Sequence, residues 1–307
     1  MMYDCLIIGG GMAGLQAAIQ LGRYSVHRIL VVDAGKGRST LCREYHNLLG
    51  FPDGISGEEL RSRGRRQAES FGVEFAEDRI VQAEKAGEGF RFTGAAGRRY
   101  ESRTVLLATG LLDRYPDIPG LETTFGRSVY VCPDCDGYEI QDRDTLVIGS
   151  GNPGADMALL MAERARSLIY INHEKTHVDE EKHRLMHQAG IRYMEQEVTE
   201  IIHENDGYIQ GAMLEDGSLV EAERGFIAFG GNHVHSELAE QLGVELHHNR
   251  HVEANPRSKM TNVEHVWAAG DLGVHSELVT AAMGDGAIAA VWINKTLRKL
   301  KQEQTGS

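Results

Sequence analysis

The chain has 307 residues, a length that predicts about two domains. Its 41% hydrophobic and 25% charged residues are typical of a globular protein and exclude wholesale disorder, while its 45 acidic against 32 basic side chains, a formal charge of −13, argue against a nucleic-acid binder. The 36 glycines beside only 6 prolines indicate many positions where the backbone turns sharply or approaches another group closely.

The beginning of the chain predicts no secretion signal. Residues 1–5 run straight into the apolar Leu6-Ile7-Ile8, without a basic stretch or a small-residue cleavage site. No apolar run reaches the roughly 20 residues that a membrane-spanning helix needs. The use of only 4 cysteines fits a reducing compartment. We therefore expect a cytoplasmic protein without a membrane segment.

The first predicted elements, in residues 4–33, are a strand, a glycine turn, a helix and a second strand. The turn carries Gly9, Gly11 and Gly14 in the order Gly-x-Gly-x-x-Gly. In such a unit the first glycine permits the tight turn, the second lets the backbone approach a pyrophosphate, and the third lets the helix pack on the strand. Asp33 ends the second strand, where a carboxylate accepts the ribose hydroxyls of an adenosine. The unit predicts a dinucleotide site, and the alternative is a plain strand-to-helix turn.

The next motif with chemical meaning is Cys132-Pro133-Asp134-Cys135. Two cysteines complete no zinc site, and no second Cys or His pair has matching spacing. In an α/β chain from a reducing compartment the spacing favours a redox dithiol. Asp136, directly after it, would either protonate a leaving thiolate or cap a backbone amide as a turn carboxylate.

Residues 144–174 repeat the plan of strand, glycine turn, helix and strand. Gly149, Gly151 and Gly154 occupy the turn, and Glu174 stands where Asp33 stands in the first unit. A second nucleotide site and a plain turn both remain open here.

Two further strands end in glycine, at Thr109-Gly110 and at Gly270-Asp271. The simplest arrangement is an α/β fold with two Rossmann-like dinucleotide-binding domains, the second inserted into the first. We predict that residues 1–113 and 244–307 form the first domain and that residues 114–243 form the inserted domain, which carries the Cys-x-x-Cys motif.

Six motifs stand in a fixed order along the chain: Gly9-x-Gly11-x-x-Gly14, Asn47-x-x-Gly50-Phe51-Pro52, Ala108-Thr109-Gly110, Cys132-x-x-Cys135-Asp136-Gly137, Gly149-x-Gly151-x-x-Gly154 and Gly270-Asp271. This set resembles the low-molecular-weight thioredoxin reductases, which are two-domain flavoprotein disulfide reductases. The resemblance covers essentially the whole chain. Its most specific part is the Cys-x-x-Cys-Asp-Gly element inside the second domain.

The resemblance implies that the first domain binds FAD. The glycines of its turn would lie at the pyrophosphate, Asp33 at the adenosine ribose, Asn47 near the flavin and Asp271 near the ribityl–pyrophosphate region. The implied FAD-binding residues are Gly9, Gly11, Gly14, Asp33, Asn47, Thr109, Gly110 and Asp271.

The resemblance also implies the catalytic roles. Cys135 would be the thiol nearest the flavin, Cys132 the thiol that attacks the disulfide of the partner, and Asp136 the acid that manages protons during exchange. Proteins of this family are typically homodimers whose two domains rotate, so that the dithiol alternates between flavin and partner. The partner would be a thioredoxin-like protein or a small disulfide.

One departure from the family pattern leaves the electron donor open. Members that bind NADPH carry His-Arg-Arg-x-x-x-Arg after the second strand of the inserted domain, where residues 172–178 of this chain read Asn-His-Glu-Lys-Thr-His-Val. All three arginines are missing, and Glu174 would repel a 2′-phosphate while accepting a 2′-hydroxyl. NADPH is therefore disfavoured. NADH, held by Gly149, Gly151, Gly154 and Glu174, reduced ferredoxin and another flavin all stay open as donors.

We therefore expect an FAD-dependent, thioredoxin reductase-like disulfide oxidoreductase, which passes electrons from a donor through FAD and the Cys132–Cys135 dithiol to its disulfide partner. Two alternatives remain: a flavin-dependent dithiol oxidase that passes electrons to oxygen, and a flavin-binding regulatory protein without turnover. No metal site is expected.

Overall fold

The computed structural model describes residues 2–305; Met1, Gly306 and Ser307, which end the predicted first domain, lie outside the described part. The contacts divide the chain into two compact units. The first unit comprises the described residues up to Thr40, Glu58–Leu112 and the described residues from Val234 onward. The second unit comprises Leu41–Gly57 and Asp113–His233.

Two stretches group differently from the predicted domain ranges. Residues 41–57 belong to the second unit, where the side chain of Glu44 accepts a hydrogen bond of 2.9 Å from Arg127. Residues 234–243 belong to the first unit, where Gln241 accepts a hydrogen bond of 2.8 Å from the backbone N–H of Ala83. The assignment of nucleotide-binding domains to residue ranges stays a prediction.

The first unit is built on a mixed sheet in the order β3-β2-β1-β6-β5-β4, with β17 also paired to β6. Strands β1, β2, β3, β6 and β17 run parallel, whereas β4 and β5 form an antiparallel extension. Its strands are β1 (Tyr3–Ile8), β2 (Ile29–Asp33), β3 (Glu74–Glu77), β4 (Ile80–Ala86), β5 (Gly89–Gly94), β6 (Arg99–Leu107) and β17 (Val266–Ala268). The helices on it are α1 (Met12–Gly22), α3 (Gly57–Glu69), α8 (Glu237–Gln241) and α9 (Val279–Thr305), and α2 (Arg38–Leu41) precedes the segment that joins the second unit.

Both faces of this sheet are buried, as a parallel sheet requires. Along β1, Cys5 and Ile7 face the core under α1 and α9, while Leu6 and Ile8 face a second core. Helices α1 and α9 approach closely, because a Cβ atom on Gly286 would lie 2.1 Å from the carbonyl oxygen of Ala13.

The second unit repeats this plan with a parallel sheet in the order β11-β10-β9-β15-β8 and a separate antiparallel sheet in the order β12-β13-β14. Its strands are β8 (Val129–Tyr130), β9 (Asp144–Gly149), β10 (Ser167–Asn172), β11 (Arg192–Met194), β12 (Val198–His203), β13 (Ile209–Leu214), β14 (Leu219–Glu221) and β15 (Arg224–Ala228). Its helices are α4 (Leu121–Thr124), α5 (Pro133–Asp136), a 3-10 turn (Gly137–Ile140), α6 (Gly151–Met161) and α7 (Glu180–Gln188). The remaining strands, β7 (Leu111–Leu112) and β16 (His233–Val234), pair with each other.

In each main sheet, the strand order reverses at the strand that is followed by a glycine turn, because the next strands in the chain are added on its other side. Strand β1 lies between β2 and β6, and β9 lies between β10 and β15. In open α/β sheets, ligands bind at the carboxyl ends of the strands at such a switch point. The predicted fold, α/β with two Rossmann-like sheets, is confirmed.

No helix within residues 2–305 is both long and apolar enough to cross a membrane, and this includes α9 with its 27 residues.

Candidate functional site

The glycine turn after β1 is tight at its first and third glycines and open at its second. Gly9 has a φ of +111°, and a Cβ atom there would lie 2.2 Å from the carbonyl oxygen of Ala108. A Cβ atom on Gly14 would lie 1.9 Å from the carbonyl oxygen of Gly9, so only glycine lets α1 pack against this turn. A Cβ atom on Gly11 would meet none of the described atoms within 4 Å. The turn therefore leaves room for a group to approach the backbone at Gly11.

The carboxylate of Asp33 lies beside this turn. Its Oδ1 accepts a hydrogen bond of 3.1 Å from the backbone N–H of Gly10, and its Oδ2 accepts one of 2.7 Å from the guanidinium of Arg61. Arg61, on α3, also donates to the carbonyl oxygen of Gly35 at 3.0 Å. The sequence analysis missed Arg61, because no local motif links it to an aspartate 28 residues earlier.

Asp271, which follows β17 in the chain, lies 3.4 Å from Nη1 of Arg38. The same Arg38 nitrogen lies 2.6 Å from a carboxylate oxygen of Glu277. The three side chains are 19–28% exposed, so the ion pairs are partly shielded from water. Arg38 therefore fixes the position of the Asp271 carboxylate, a role that the sequence analysis did not foresee.

Thr109 and Gly110, which lie just after β6, are hydrogen-bonded to the backbone of His235. The hydroxyl of Thr109 donates to the carbonyl oxygen of His235 at 2.6 Å, and the N–H of His235 donates to the carbonyl oxygen of Gly110 at 3.0 Å. These bonds join residues more than 100 positions apart in sequence and fix the backbone of the predicted cofactor-binding pair.

This set of groups in the first unit fits an FAD. Gly11 caps the start of α1 without a side chain, so the first N–H groups of the helix are not covered by a cap of its own. Helix N-termini of this kind bind pyrophosphate, and a carboxylate at the place of Asp33 accepts ribose hydroxyls. The fit rests on two features of the turn: the space at Gly11 is open, and the space at Gly9 and Gly14 is too small for any larger residue.

The predicted dithiol lies in the second unit. Cys132 and Cys135 form a disulfide with a Cα–Cα distance of 5.3 Å, and both residues are half-buried. Cys132 is the N-cap of α5, and its Sγ accepts a hydrogen bond of 3.1 Å from the backbone N–H of Cys135. The backbone N–H of Asp136 donates to the carbonyl oxygen of Cys132 at 3.1 Å. The chain between the two sulfurs is thus held in a fixed turn by backbone hydrogen bonds.

The segment of residues 41–57 packs near this dithiol within the second unit. The Nδ1 atom of His46 lies 3.1 Å from a carboxylate oxygen of Glu139, which belongs to the 3-10 turn after α5. Burial, and secondarily the negative charge of Asp136, raise the pKa of the Cys42 thiol to about 12. Asn47 lies on the same segment and is exposed. Contacts therefore group Asn47 with the dithiol and not with the glycine turn after β1.

The second glycine turn follows β9, the central strand of its sheet, and its surroundings differ from those of the first turn. A Cβ atom on Gly149 would lie 2.3 Å from the carbonyl oxygen of Ala228, and one on Gly154 would lie 2.4 Å from the ring of Tyr170. Glu174 forms an ion pair with Arg114. Burial raises the pKa of Glu174, but hydrogen bonds to Ser150 and Arg114 outweigh this effect and hold the pKa below its usual value.

Comparison with known proteins gives a consistent result. The model of the pyridine nucleotide-disulphide oxidoreductase family matches residues 3–286. The thioredoxin reductase of Rickettsia bellii is 30% identical over 308 residues, covering 96% of this chain and 98% of the relative. Two solved structures are similar over the whole length. HlmI has a TM-score of 0.88 at 28% identity, covering 99% of this chain and 95% of HlmI. The thioredoxin reductase of Streptococcus pyogenes has a TM-score of 0.86 at 25% identity, covering 97% and 99%.

Proposed function

The chain belongs to the pyridine nucleotide-disulphide oxidoreductases and, within them, to the low-molecular-weight thioredoxin reductases, and from that premise we propose that Cys132 and Cys135 are its redox-active dithiol. Proteins of this family are FAD-dependent disulfide oxidoreductases, so the predicted family and reaction class are confirmed. The observation that carries the proposal is the Cys132–Cys135 disulfide at the start of α5. Both cysteines are half-buried, so a sulfur atom of a partner protein can reach them.

We propose that the first unit holds the FAD. Gly9, Gly11 and Gly14 would surround its pyrophosphate, and Asp33, oriented by Arg61, would accept the ribose hydroxyls. Asp271, fixed by Arg38, would contact the region between ribityl chain and pyrophosphate. Thr109 and Gly110 complete the proposed set in this unit, whereas the role of Asn47, which lies in the second unit, stays a prediction. When bound, FAD exchanges an electron pair with the dithiol, while the protein supplies position and electrostatics.

Cys132 is the proposed attacking sulfur. In the reduced enzyme, the N–H of Cys135 that now points at the Cys132 sulfur, at 3.1 Å, would stabilise a Cys132 thiolate. That thiolate attacks one sulfur of the partner's disulfide, a mixed disulfide forms, and the other partner sulfur leaves as a thiolate. Asp136, next to Cys135 in the chain, is proposed to protonate this leaving group.

Cys135 then completes the exchange. The Asp136 carboxylate is proposed to take the proton of Cys135, and the resulting thiolate attacks the sulfur of Cys132. The mixed disulfide breaks, and the second partner sulfur leaves as a thiolate that takes up a proton from water. The Cys132–Cys135 disulfide is formed again, so the partner has gained two electrons and two protons. The enzyme's dithiol has lost the same two electrons.

The proposed partner is a thioredoxin-like protein or a small disulfide. Support comes from the relatives, which are thioredoxin reductases, and from the exposed ring of Tyr138, 81% accessible and three residues beyond Cys135. Aromatic side chains are enriched in protein interfaces, so Tyr138 offers a contact beside the dithiol. The homodimer that the resemblance implies stays a prediction, and ferredoxin stays one of the open donors.

A single-turnover experiment tests the proposal without assuming a donor. The holoenzyme is reduced anaerobically with dithionite and mixed with oxidised thioredoxin, and the thiols formed on thioredoxin are counted after an acid quench. The wild type is expected to form at least two thiols on thioredoxin for each enzyme, and Cys132→Ser none. Cys135→Ser is expected to form no more than one, together with a mixed disulfide between Cys132 and thioredoxin that gel electrophoresis without reductant reveals. Cys42→Ala, which removes a third cysteine of the same unit, serves as control and is expected to behave like the wild type. Full transfer by either serine variant would refute the assigned dithiol.

A further inference from the structure

The two glycine turns share a sequence pattern, so the first turn is an internal standard for the second. Their first glycines are equivalent, because a Cβ atom would lie 2.2 Å from Ala108 O at Gly9 and 2.3 Å from Ala228 O at Gly149. Both sites are crowded by the carbonyl oxygen of the neighbouring strand end. The second turn is therefore as tight at its first glycine as the first turn is, although φ is +52° at Gly151 and −79° at Gly11.

The second glycines are not equivalent. A Cβ atom on Gly11 would meet none of the described atoms within 4 Å, whereas one on Gly151 would lie 2.7 Å from the hydroxyl oxygen of Thr176 and 2.8 Å from the carbonyl oxygen of His177. In dinucleotide-binding turns this is the glycine that the pyrophosphate approaches. In the second unit, residues 176 and 177 of the chain itself occupy that space.

These two residues belong to a segment that bends back over the turn, residues 172–179, which we call the cap segment. Asn172 anchors it from both sides. Its Oδ1 accepts a hydrogen bond of 3.1 Å from the backbone N–H of Gly151, and its Nδ2 donates to the carbonyl oxygen of Thr176 at 2.6 Å. The hydroxyls of Ser150 and Thr176 lie 2.7 Å apart. The N–H of Gly151, which a phosphate would need, is therefore already used inside the protein.

The cap segment also places two carboxylates at the turn. Glu174 pairs with Arg114, and hydrogen bonding links it to Ser150 at the turn itself. Asp179 accepts a hydrogen bond of 2.9 Å from the side chain of Asn152 and donates its backbone N–H to the same side chain at 3.0 Å. Asn152 lies in the first turn of α6, so a carboxylate of the protein stands where that helix would attract an anion. A pyrophosphate would meet negative charge on both sides.

From this we infer that the turn between β9 and α6 is closed by the cap segment and takes no pyridine dinucleotide, so neither NADH nor NADPH is the reductant of this protein. The pyridine-nucleotide site that the fold family implies does not fit the residues present. The inference rests on the proposed function in one respect, namely that an FAD is there to be reduced. It concerns only the source of the electrons, and the dithiol chemistry is independent of it.

The inference is tested on the holoprotein by binding and by reduction. NADP⁺ and NAD⁺ are titrated by calorimetry to about 1 mM, the upper end of ordinary KM values. NADPH and NADH are then added anaerobically while the flavin absorbance is followed. We expect no saturable binding and no bleaching by either nucleotide, with full bleaching by dithionite. One-site binding, or bleaching by one equivalent of NADH or NADPH, would overturn the inference.

Two additions make the outcome specific. Glu174→Gln removes a charge but leaves the cap segment in place, so this variant is also expected to bind no nucleotide. Binding of NADP⁺ or NAD⁺ by this variant would show that the cap segment does not close the turn. Dithiothreitol is added to the same anaerobic sample. Failure of dithiothreitol to bleach the flavin would count against the proposed dithiol function and leave the inference intact. Bleaching by NADPH would overturn the inference and leave the proposed dithiol function intact.

Discussion

The backbone N–H of Gly151 donates a hydrogen bond of 3.1 Å to Oδ1 of Asn172, and both residues are buried. This bond uses the donor that a dinucleotide-binding turn offers to phosphate. At Gly11, the corresponding glycine of the first unit, the space beside the turn is open. The Gly-x-Gly-x-x-Gly motif thus occurs twice in this protein. The first turn has room for a dinucleotide, and the second turn is closed by residues of the chain itself.

Replacing Asn172 by alanine is expected to destabilise the fold by about 1–3 kcal/mol, because the N–H of Gly151 would be buried without an acceptor. Urea unfolding followed by circular dichroism measures this change. Asn152→Ala is the matched control, since Asn152 bonds to the exposed Asp179 and its loss is expected to cost well under half of that. Equal losses in the two variants would show that the buried bond has no special weight.

The first glycine turn allows binding and folding to be separated. Gly11→Ala is expected to fold normally but to lose FAD affinity by roughly tenfold or more, because the new methyl group would fill the space left for the pyrophosphate. Gly14→Ala is expected to lose about 1–3 kcal/mol of stability, since its methyl group would lie 1.9 Å from the carbonyl oxygen of Gly9. Flavin retention on gel filtration and urea unfolding measure the two effects. A Gly11→Ala protein that keeps its flavin at wild-type affinity would contradict the proposed cradle.

Cys42 is expected to be chemically inert beside a reactive dithiol. With its pKa raised to about 12 from 9.0, mainly by burial, its thiolate fraction at pH 8 falls by about 10³. Iodoacetamide should therefore label Cys132 and Cys135 in the reduced protein and spare Cys42, as peptide mass spectrometry would show. The same shift makes stability depend on pH. The Cys42 thiol of the unfolded chain loses its proton near pH 9, whereas that of the folded protein keeps it, so the contribution of Cys42 to the free energy of unfolding declines as the pH rises from 9 towards 12. Fast labelling of Cys42 in the folded protein would contradict this account.

His275 and Asp285 in the first unit predict a pH-dependent term in stability. Asp285 lies 2.8 Å from Nε2 of His275 and 2.7 Å from Nζ of Lys259. The ion pair with Asp285 raises the pKa of His275, against an opposing effect of burial and of Lys259. A group whose folded pKa is raised stabilises fully below its unfolded pKa of 6.5, and this contribution is lost as the pH rises through the folded value.

His275→Asn is therefore expected to lose more stability at pH 5.5 than at pH 8.5. Unfolding free energies at the two pH values measure the difference. His248→Asn, an imidazole in an exposed loop, is the control and should change little at either pH. A His275→Asn variant that loses the same stability at both pH values would show that the ion pair contributes no pH-dependent term.

The sequence predicted the parts of this protein that local patterns encode. The glycines at 9, 11 and 14 dictate a turn between strand and helix, because only glycine fits where the backbone approaches Ala108 O and Gly9 O. The alternating burial of β1 follows from a run of apolar residues covered on both faces. The two parallel sheets could be predicted because the same unit occurs twice.

Other features depend on contacts between residues far apart in sequence, which no local pattern encodes. The pairing of Arg114 with Glu174 joins residues 60 apart, and that of Arg38 with Glu277 joins residues 239 apart. The path of the cap segment is set by Asn172 and Thr176, whose side chains are ordinary loop residues in the sequence. For the same reason the motif at Gly149, Gly151 and Gly154 predicted a possible nucleotide site, and its closure became visible only in the structure.

The central claim is that the Cys132–Cys135 dithiol exchanges electrons with the FAD of the same protein. Anaerobic titration of the holoprotein with dithiothreitol, with the flavin absorbance as readout, tests it most directly. We predict that the wild-type flavin bleaches, because dithiothreitol reduces the disulfide and the dithiol passes its electrons on, and that the flavin of Cys135→Ser stays oxidised under the same conditions. Bleaching of Cys135→Ser at the wild-type rate would contradict the account.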